Sequence, residues 1–241
     1  MPHADYNLAV WRDQKGVLSP CIVPEGAYLI LGNESLAFIY ADYPEHKVRQ
    51  VRDHTLDRIH TLLADPAIAF PPDWHPISAT ISTAYDLFLG YLLLDTWIAN
   101  QDRHHENWGL IRHRERIYLA PTFDHAASMG QNETDARRKN RLQTGDQRQH
   151  ISAYVKKARS AIYETTTSKK PLPTLDLFQK AAQRSPKSAR TWLDRLRQIP
   201  DNDCQDLFER LPYGEITPCA KQFALELLAL NKERLLGAPK P

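Results

Sequence analysis

Three cysteines in 241 residues, Cys21, Cys204 and Cys219, are odd in number and far apart, and none forms a CxxC pair. That excludes a disulfide framework and a CxxC-type metal site, and it suits a reducing compartment. Glycine is scarce as well. Only nine are present, none in GxGxxG or GxxxxGK order, so no glycine-rich loop able to cradle phosphates is legible. Long apolar runs are also missing: the longest, Leu87–Leu94, lies between Asp86 and Asp95 and falls far short of the roughly 20 residues a membrane-spanning helix needs. The opening residues, MPHADYNLAV, show no basic segment followed by an apolar core, so no secretory signal is expected. The expected location is the cytoplasm, with no membrane partner.

What is present is ordinary for a soluble globular chain: 42% hydrophobic and 25% charged residues, enough for one large domain or two small ones. Net charge is +2, but it is uneven. Residues 137–170 carry ten Lys/Arg against Asp146 and Glu164, a local +8 that leaves −6 for the rest. Such a segment can attract nucleic acid. No nucleic-acid-binding motif accompanies it, so solvated helix faces are the favoured reading.

The first forty residues read as strands. Asn7–Arg12 and Val17–Val23 flank Asp13-Gln14-Lys15-Gly16, a candidate hairpin turn, and Tyr28–Leu31 is a third short strand. His54–Ala64 has helical apolar spacing, and the proline-rich stretch 71–76 is the clearest linker. Thr83 followed by Asp86 has the form of a capping box. The helix it opens, 84–98, is apolar on nearly every side and so is expected to be buried all round. Trp108–Ile111 and Ile117–Leu119 read as two strands joined by the charged turn Arg112–Arg116. Helices are then expected at Ile151–Tyr163, Leu175–Arg184, Ser188–Arg197 and Cys204–Arg210. A last helix opens at Thr217-Pro218, with Gly237 and Pro239 closing it.

Directly after the buried helix stands ANQDRHHENW, residues 99–108. Asp102, Asn107 and, beyond the hairpin, Asp124 are the oxygen-bearing set that phosphoryl transfer uses: one carboxylate to orient an attacking hydroxyl, an amide and a second carboxylate to hold Mg²⁺. The paired strands explain how Asn107 and Asp124 could converge. Read singly, the same residues are a helix-terminal cap, a turn former and a surface acid. A metal-dependent hydrolase built on His104, His105, His113 and His125 is the rival chemistry. It is disfavoured because adjacent histidines cannot easily share a metal and no HExxH is present.

N-x-D-R-H-x-x-N, matched at Asn100, Asp102, Arg103, His104 and Asn107, followed by P-x-F-D at Pro121, Phe123 and Asp124, resembles the HipA-like serine/threonine kinases, a family known for toxin–antitoxin modules. That resemblance implies an α+β, protein-kinase-like fold, with a remnant β-rich small lobe and hinge over residues 1–75 and a predominantly helical catalytic lobe over 76–241. It also implies transfer of the γ-phosphate of ATP to a protein hydroxyl. By the same resemblance Asp102 is the catalytic base, and Asn107 and Asp124 bind Mg²⁺ and through it the nucleotide. The partners it implies are a protein substrate and an antitoxin.

The sequence departs from that pattern in its small lobe. No glycine-rich loop or strand lysine for the phosphates is visible. Lys15 falls in the expected turn and Lys47 in a polar segment, and CIVPEG (21–26) is placed near the hinge. Three explanations stay open: a truncated product of a longer reading frame, complementation by a separately made small-lobe protein, or a degenerate kinase kept for binding. The alternative is a non-catalytic pseudokinase that acts on a partner chain or nucleic acid.

Overall fold

The structure, a computed structural model, describes residues 1–237. It opens with β1 (Asn7–Trp11) antiparallel to β2 (Gln14–Leu18). The turn is Arg12-Asp13, both at positive φ (48° and 62°), the two-residue primed form that matches strand twist. The turn expected over 13–16 is therefore corrected: Gly16 lies inside β2, opposite Ala9. The strand expected to reach Val23 stops at Leu18, next to Ser19-Pro20, where proline can donate no ladder bond.

β3 (Ala27–Leu31) runs straight into α1 (Gly32–Ile39), a helix within the stretch read as strands. Glu34 accepts the Leu31 amide at 2.6 Å and so starts the helix. α2 (Leu56–Leu63) is capped by Thr55, whose hydroxyl accepts from the Arg58 amide. After β4 (Ile68–Ala69), the stretch 71–83 has no helix or strand.

α3 (Ala84–Trp97) is the centre of the molecule. Its capping box is closed on both sides: Thr83 Oγ1 accepts from Asp86 N (3.2 Å) and Asp86 Oδ2 accepts from Thr83 N (2.9 Å). Twelve of its residues are buried, as its all-round apolar pattern demands. β5 (Gly109–His113) and β6 (Arg116–Leu119) follow as a hairpin. They lie inside a four-stranded sheet of order β3-β5-β6-β4, in which only β4 runs parallel to its neighbour.

The remainder is helical: α4 (Asp135–Gln143), α5 (Ile151–Lys157), α6 (Thr174–Arg184), α7 (Pro186–Arg197), α8 (Asp201–Glu209) and α9 (Pro218–Gly237). α4 falls where a charged loop or helix face was expected, and it buries no residue. It is held by ion pairs, Arg138–Asp135 and Arg141–Glu133, in place of an apolar stripe. The helix expected over 151–163 ends at Lys157. Beyond it the backbone pairs elsewhere: Ser160 N donates to Leu172 O, Leu172 N to Ile162 O, and Tyr163 N to His54 O. α9 begins as expected, with Thr217 accepting the Ala220 amide. Gly237 is its last residue, and Pro239 lies outside the described residues.

One buried cluster joins α1, α2, α3, α6 and α7 with Trp108, Leu110 and Leu119 of the hairpin region. The architecture is α+β, a small β portion beside a predominantly helical body.

Candidate active site

The site hangs from the C-terminal end of α3. Ala99 N donates to Thr96 O and Asn100 N to Asp95 O, a Schellman closure with Ala99 at φ 52° in the position glycine normally fills. Ala99 is wholly buried in a second cluster with Val155, Phe223 and Leu227. A left-handed non-glycine residue is strained by about 1 kcal/mol. Here the packing of its methyl group compensates, and the turn aims residues 100–107 across the sheet.

Asp95 and Arg103 form the pillar of the loop. Both are buried, and the guanidinium meets the carboxylate through Nε–Oδ2 and Nη2–Oδ1, each 2.7 Å. Asn100 Nδ2 adds a bond to Asp95 Oδ1 (2.9 Å). A carboxylate in the last turn of a helix opposes the helix dipole, so a buried Asp95 needs these donors. Arg103 then reaches outward: Nη1 donates to Asn107 O (2.6 Å) and Phe123 O (3.5 Å), and Nη2 donates to Thr122 Oγ1 (3.0 Å). One buried cation thereby fastens residue 107 to residues 122–123.

The three sequence-derived residues sit around this pillar. Asp102 is half-exposed (52%), its amide donating to Asn100 Oδ1. Asn107 is buried, and its Nδ2 donates to Asp102 O at 2.7 Å. That leaves Oδ1 as its ligand atom. Asp124 is exposed, at φ 52°, with its amide donating to the Tyr6 phenol oxygen (2.9 Å). No cation pairs with its carboxylate among the described residues. An amide oxygen and a free carboxylate, on residues whose backbone is held by Arg103 at the Asn107 carbonyl and at Phe123 just before Asp124, fit a hard cation that takes one or two protein oxygens and keeps phosphate and water as its other ligands. Asn107 and Asp124 are the residues that would hold Mg²⁺.

Histidines shape the loop. His104 Nδ1 accepts from Glu106 N (3.2 Å), while its carbonyl takes the Asn107 amide. His105 lies beneath, with Nδ1 against the Tyr43 hydroxyl (2.9 Å). His54 Nε2 accepts from Trp108 Nε1 (3.0 Å), so its proton sits on Nδ1, facing Ala161 O. Burial, followed by the nearby His105, lowers His54 to about 3. His125 Nε2 faces Thr122 Oγ1 (2.8 Å) and Arg103 Nη2 (3.2 Å). Burial and then the Arg103 charge bring it down to about 4. The His54 and His125 rings are neutral hydrogen-bonding parts. Among the described residues no three His, Cys, Asp or Glu side chains form a metal-binding group.

Asp95 and Tyr6 were not singled out from sequence. A lone acid closing an otherwise apolar helix was the available signal for Asp95. Tyr6 carried none, because its contact spans the chain.

A β-rich start, a buried central helix that ends in a polar loop, and a hairpin leading to an acidic residue frame the site. No protein-family model matches the chain, and no curated protein matches it. Among solved structures it is similar to the Helicobacter pylori proinflammatory kinase CtkA, at 15% identity and TM-score 0.72, covering 99% of this chain and 79% of that one. It is also similar to HipA of the Shewanella oneidensis MR-1 toxin–antitoxin system, solved with HipB and operator DNA, at 13% identity and TM-score 0.52. There 98% of this chain is covered, and it spans about half (52%) of the HipA chain. The chain shares the fold of these two structures.

Proposed function

We propose that the chain is the catalytic lobe of a HipA-like serine/threonine kinase that transfers the γ-phosphate of Mg·ATP to a protein hydroxyl. The observation that carries the reading is Arg103, one buried guanidinium that fastens the Asn107 carbonyl and the Phe123 carbonyl beside Asp102 and Asp124. Asp102, half in solvent, is the group free to accept the hydrogen bond of an incoming hydroxyl and orient its oxygen. Asn107 Oδ1 and the Asp124 carboxylate hold the metal, which when bound neutralises charge on the transferring phosphate. Arg103 keeps these atoms in register without touching substrate.

Leu8, Val10, Trp11, Val17 and Leu18 lie exposed on the β1–β2 hairpin, and an isolated two-stranded hairpin is marginal in water. This supports completion of the small lobe by further strands that bear the phosphate-binding lysine, whether from a longer chain or a separate partner. Lys15 does not serve, because it pairs with Glu215 at 2.9 Å. That pairing also favours the second reading, a pseudokinase that binds a partner, an antitoxin for example, without transfer. A cytoplasmic location is retained as part of the proposal.

The test is titration calorimetry with ATP, with and without Mg²⁺, beside Asp124→Ala. Mg-dependent binding that disappears in the variant supports the reading. Absence of binding at millimolar ATP overturns it for this chain alone.

A further inference from the structure

A cavity of about 640 Å³ opens on Asp102. Neither Asn107 nor Asp124 lines it, so it lies off the metal side of the loop while sharing the candidate base. Its wall carries Arg49, Arg52, Arg159, Lys169 and Lys170, and Asp102 is its single carboxylate. The cations come from two segments more than a hundred residues apart. Gln50, at φ 55°, turns the first of them. The second is stitched to it by Tyr163 N to His54 O (2.9 Å) and Leu56 N to Tyr163 O (3.2 Å).

Three cations on neighbouring segments do have carboxylate partners: Arg58 with Asp53, Lys180 with Glu164, Arg184 with Asp57. Arg49, Arg52, Lys169 and Lys170 form no ion pair among the described residues. Arg159 donates to the Pro171 carbonyl. Gathering unpaired like charges in one concavity is unfavourable unless something anionic enters, and such a bowl focuses the field on an anionic ligand. His105, which also lines the cavity, is buried with its Nδ1 on the Tyr43 hydroxyl.

We infer that this cavity is the acceptor groove and that it selects an acidic peptide: a serine or threonine flanked by Asp or Glu side chains. This rests on the phosphotransferase reading above. The hydroxyl sits at Asp102, and the flanking carboxylates pair with Arg49, Arg52, Lys169 and Lys170. In the transfer the acceptor oxygen bonds to the γ-phosphorus, the bond from that phosphorus to the β–γ bridging oxygen breaks, ADP leaves and the hydroxyl proton passes to Asp102. A peptide fits better than nucleic acid. The only Phe, Tyr or Trp in the wall is Tyr163, which is buried, so no aromatic platform is available for base stacking.

The test is fluorescence anisotropy on the intact chain without ATP or Mg²⁺. The probes are a labelled peptide with a central serine among glutamates, its glutamine counterpart and a single-stranded oligonucleotide. The glutamate peptide is expected to bind at least tenfold tighter than the glutamine peptide. Arg49→Ala/Arg52→Ala and Lys169→Ala/Lys170→Ala are each expected to weaken it by about tenfold, as loss of two partly exposed ion pairs implies. Arg137→Ala/Lys139→Ala on α4 serves as the bulk-charge control and is expected to leave binding unchanged. Equal binding of the two peptides, an equal loss in the α4 control, or tighter binding of the oligonucleotide overturns the inference. The ATP titration fails or succeeds separately, so loss of the kinase reading and loss of the acidic-acceptor inference are distinguishable.

Discussion

Arg103 combines three tasks that a surface arginine could not: it neutralises Asp95 in the interior, and it fastens both Asn107 and Phe123. Deleting one member of a buried pair leaves the other charged and unpaired, at a cost of about 3–5 kcal/mol. Arg103→Leu is therefore expected to lower stability by that order in urea denaturation. Asp95→Leu/Arg103→Leu is expected to cost clearly less than the sum of the single changes. Additive losses would show that the two side chains are not coupled. The motif singled out Asp102, Asn107 and Asp124 because residue types and spacing are visible along the chain; their roles belong to the proposal. Asp95 and Tyr6 were not legible, because what they do depends on contacts made after the chain folds back.

α3 shows the same division at the scale of an element. Its start was readable, since a capping box needs only Thr83 and Asp86 three residues apart. Yet Asp86 also accepts from Ser82 N and from Ser188 Oγ (2.8 Å), and Ser185 Oγ bonds to it too. Thr83→Ala is expected to cost about 1 kcal/mol as a lost cap. Asp86→Ala is expected to cost at least about 2 kcal/mol, since it orphans several donors. Equal losses in thermal or urea unfolding would contradict that ranking. Gly90, midway along the helix, faces Trp192 of α7: an added Cβ would stand 2.6 Å from the indole, whose Nε1 is held by Asp86 O. Gly90→Ala is expected to destabilise by about 1–3 kcal/mol through overpacking, although alanine favours helix elsewhere. α5 and α4 illustrate what element-level reading misses. The first is cut short by long-range backbone pairing. The second exists through side-chain ion pairs on a segment with no apolar stripe.

For the whole molecule, the buried neutral histidines set an acid limit. His54 and His125 have folded-state values of about 3 and about 4, below the ordinary value near 6.5. The unfolded chain thus takes up protons that the native state refuses. Stability is complete above about pH 6.5 and falls as pH drops toward 4, by about 1.4 kcal/mol per pH unit for each ring. Urea midpoints at pH 7 and pH 5 are expected to show this loss, with a shallower slope in His125→Asn and in His54→Gln. An unchanged slope in both variants would remove these two rings as its source. The charge asymmetry also looks different at this scale. Within the 137–170 segment, Arg138 and Arg141 of α4 are engaged with Asp135 and Glu133, while Arg159, Lys169 and Lys170 line the cavity that holds Asp102.

Sequence alone determined what depends on neighbours along the chain: the capping box, the all-round apolar helix, the β5–β6 hairpin and the spacing that sets Asp102 and Asn107 at the helix end. It also carried the resemblance whose fold the tertiary structure displays. Only the tertiary structure decided the Asp95–Arg103 pillar, the Tyr6 contact to Asp124, the truncation of α5 and the union of Arg49 and Arg52 with Lys169 and Lys170 beside the candidate base. The physical reason is range. Caps, turns and periodicity act within a few residues, whereas burial of a charge and convergence of two walls on one cavity arise only when distant segments share a core.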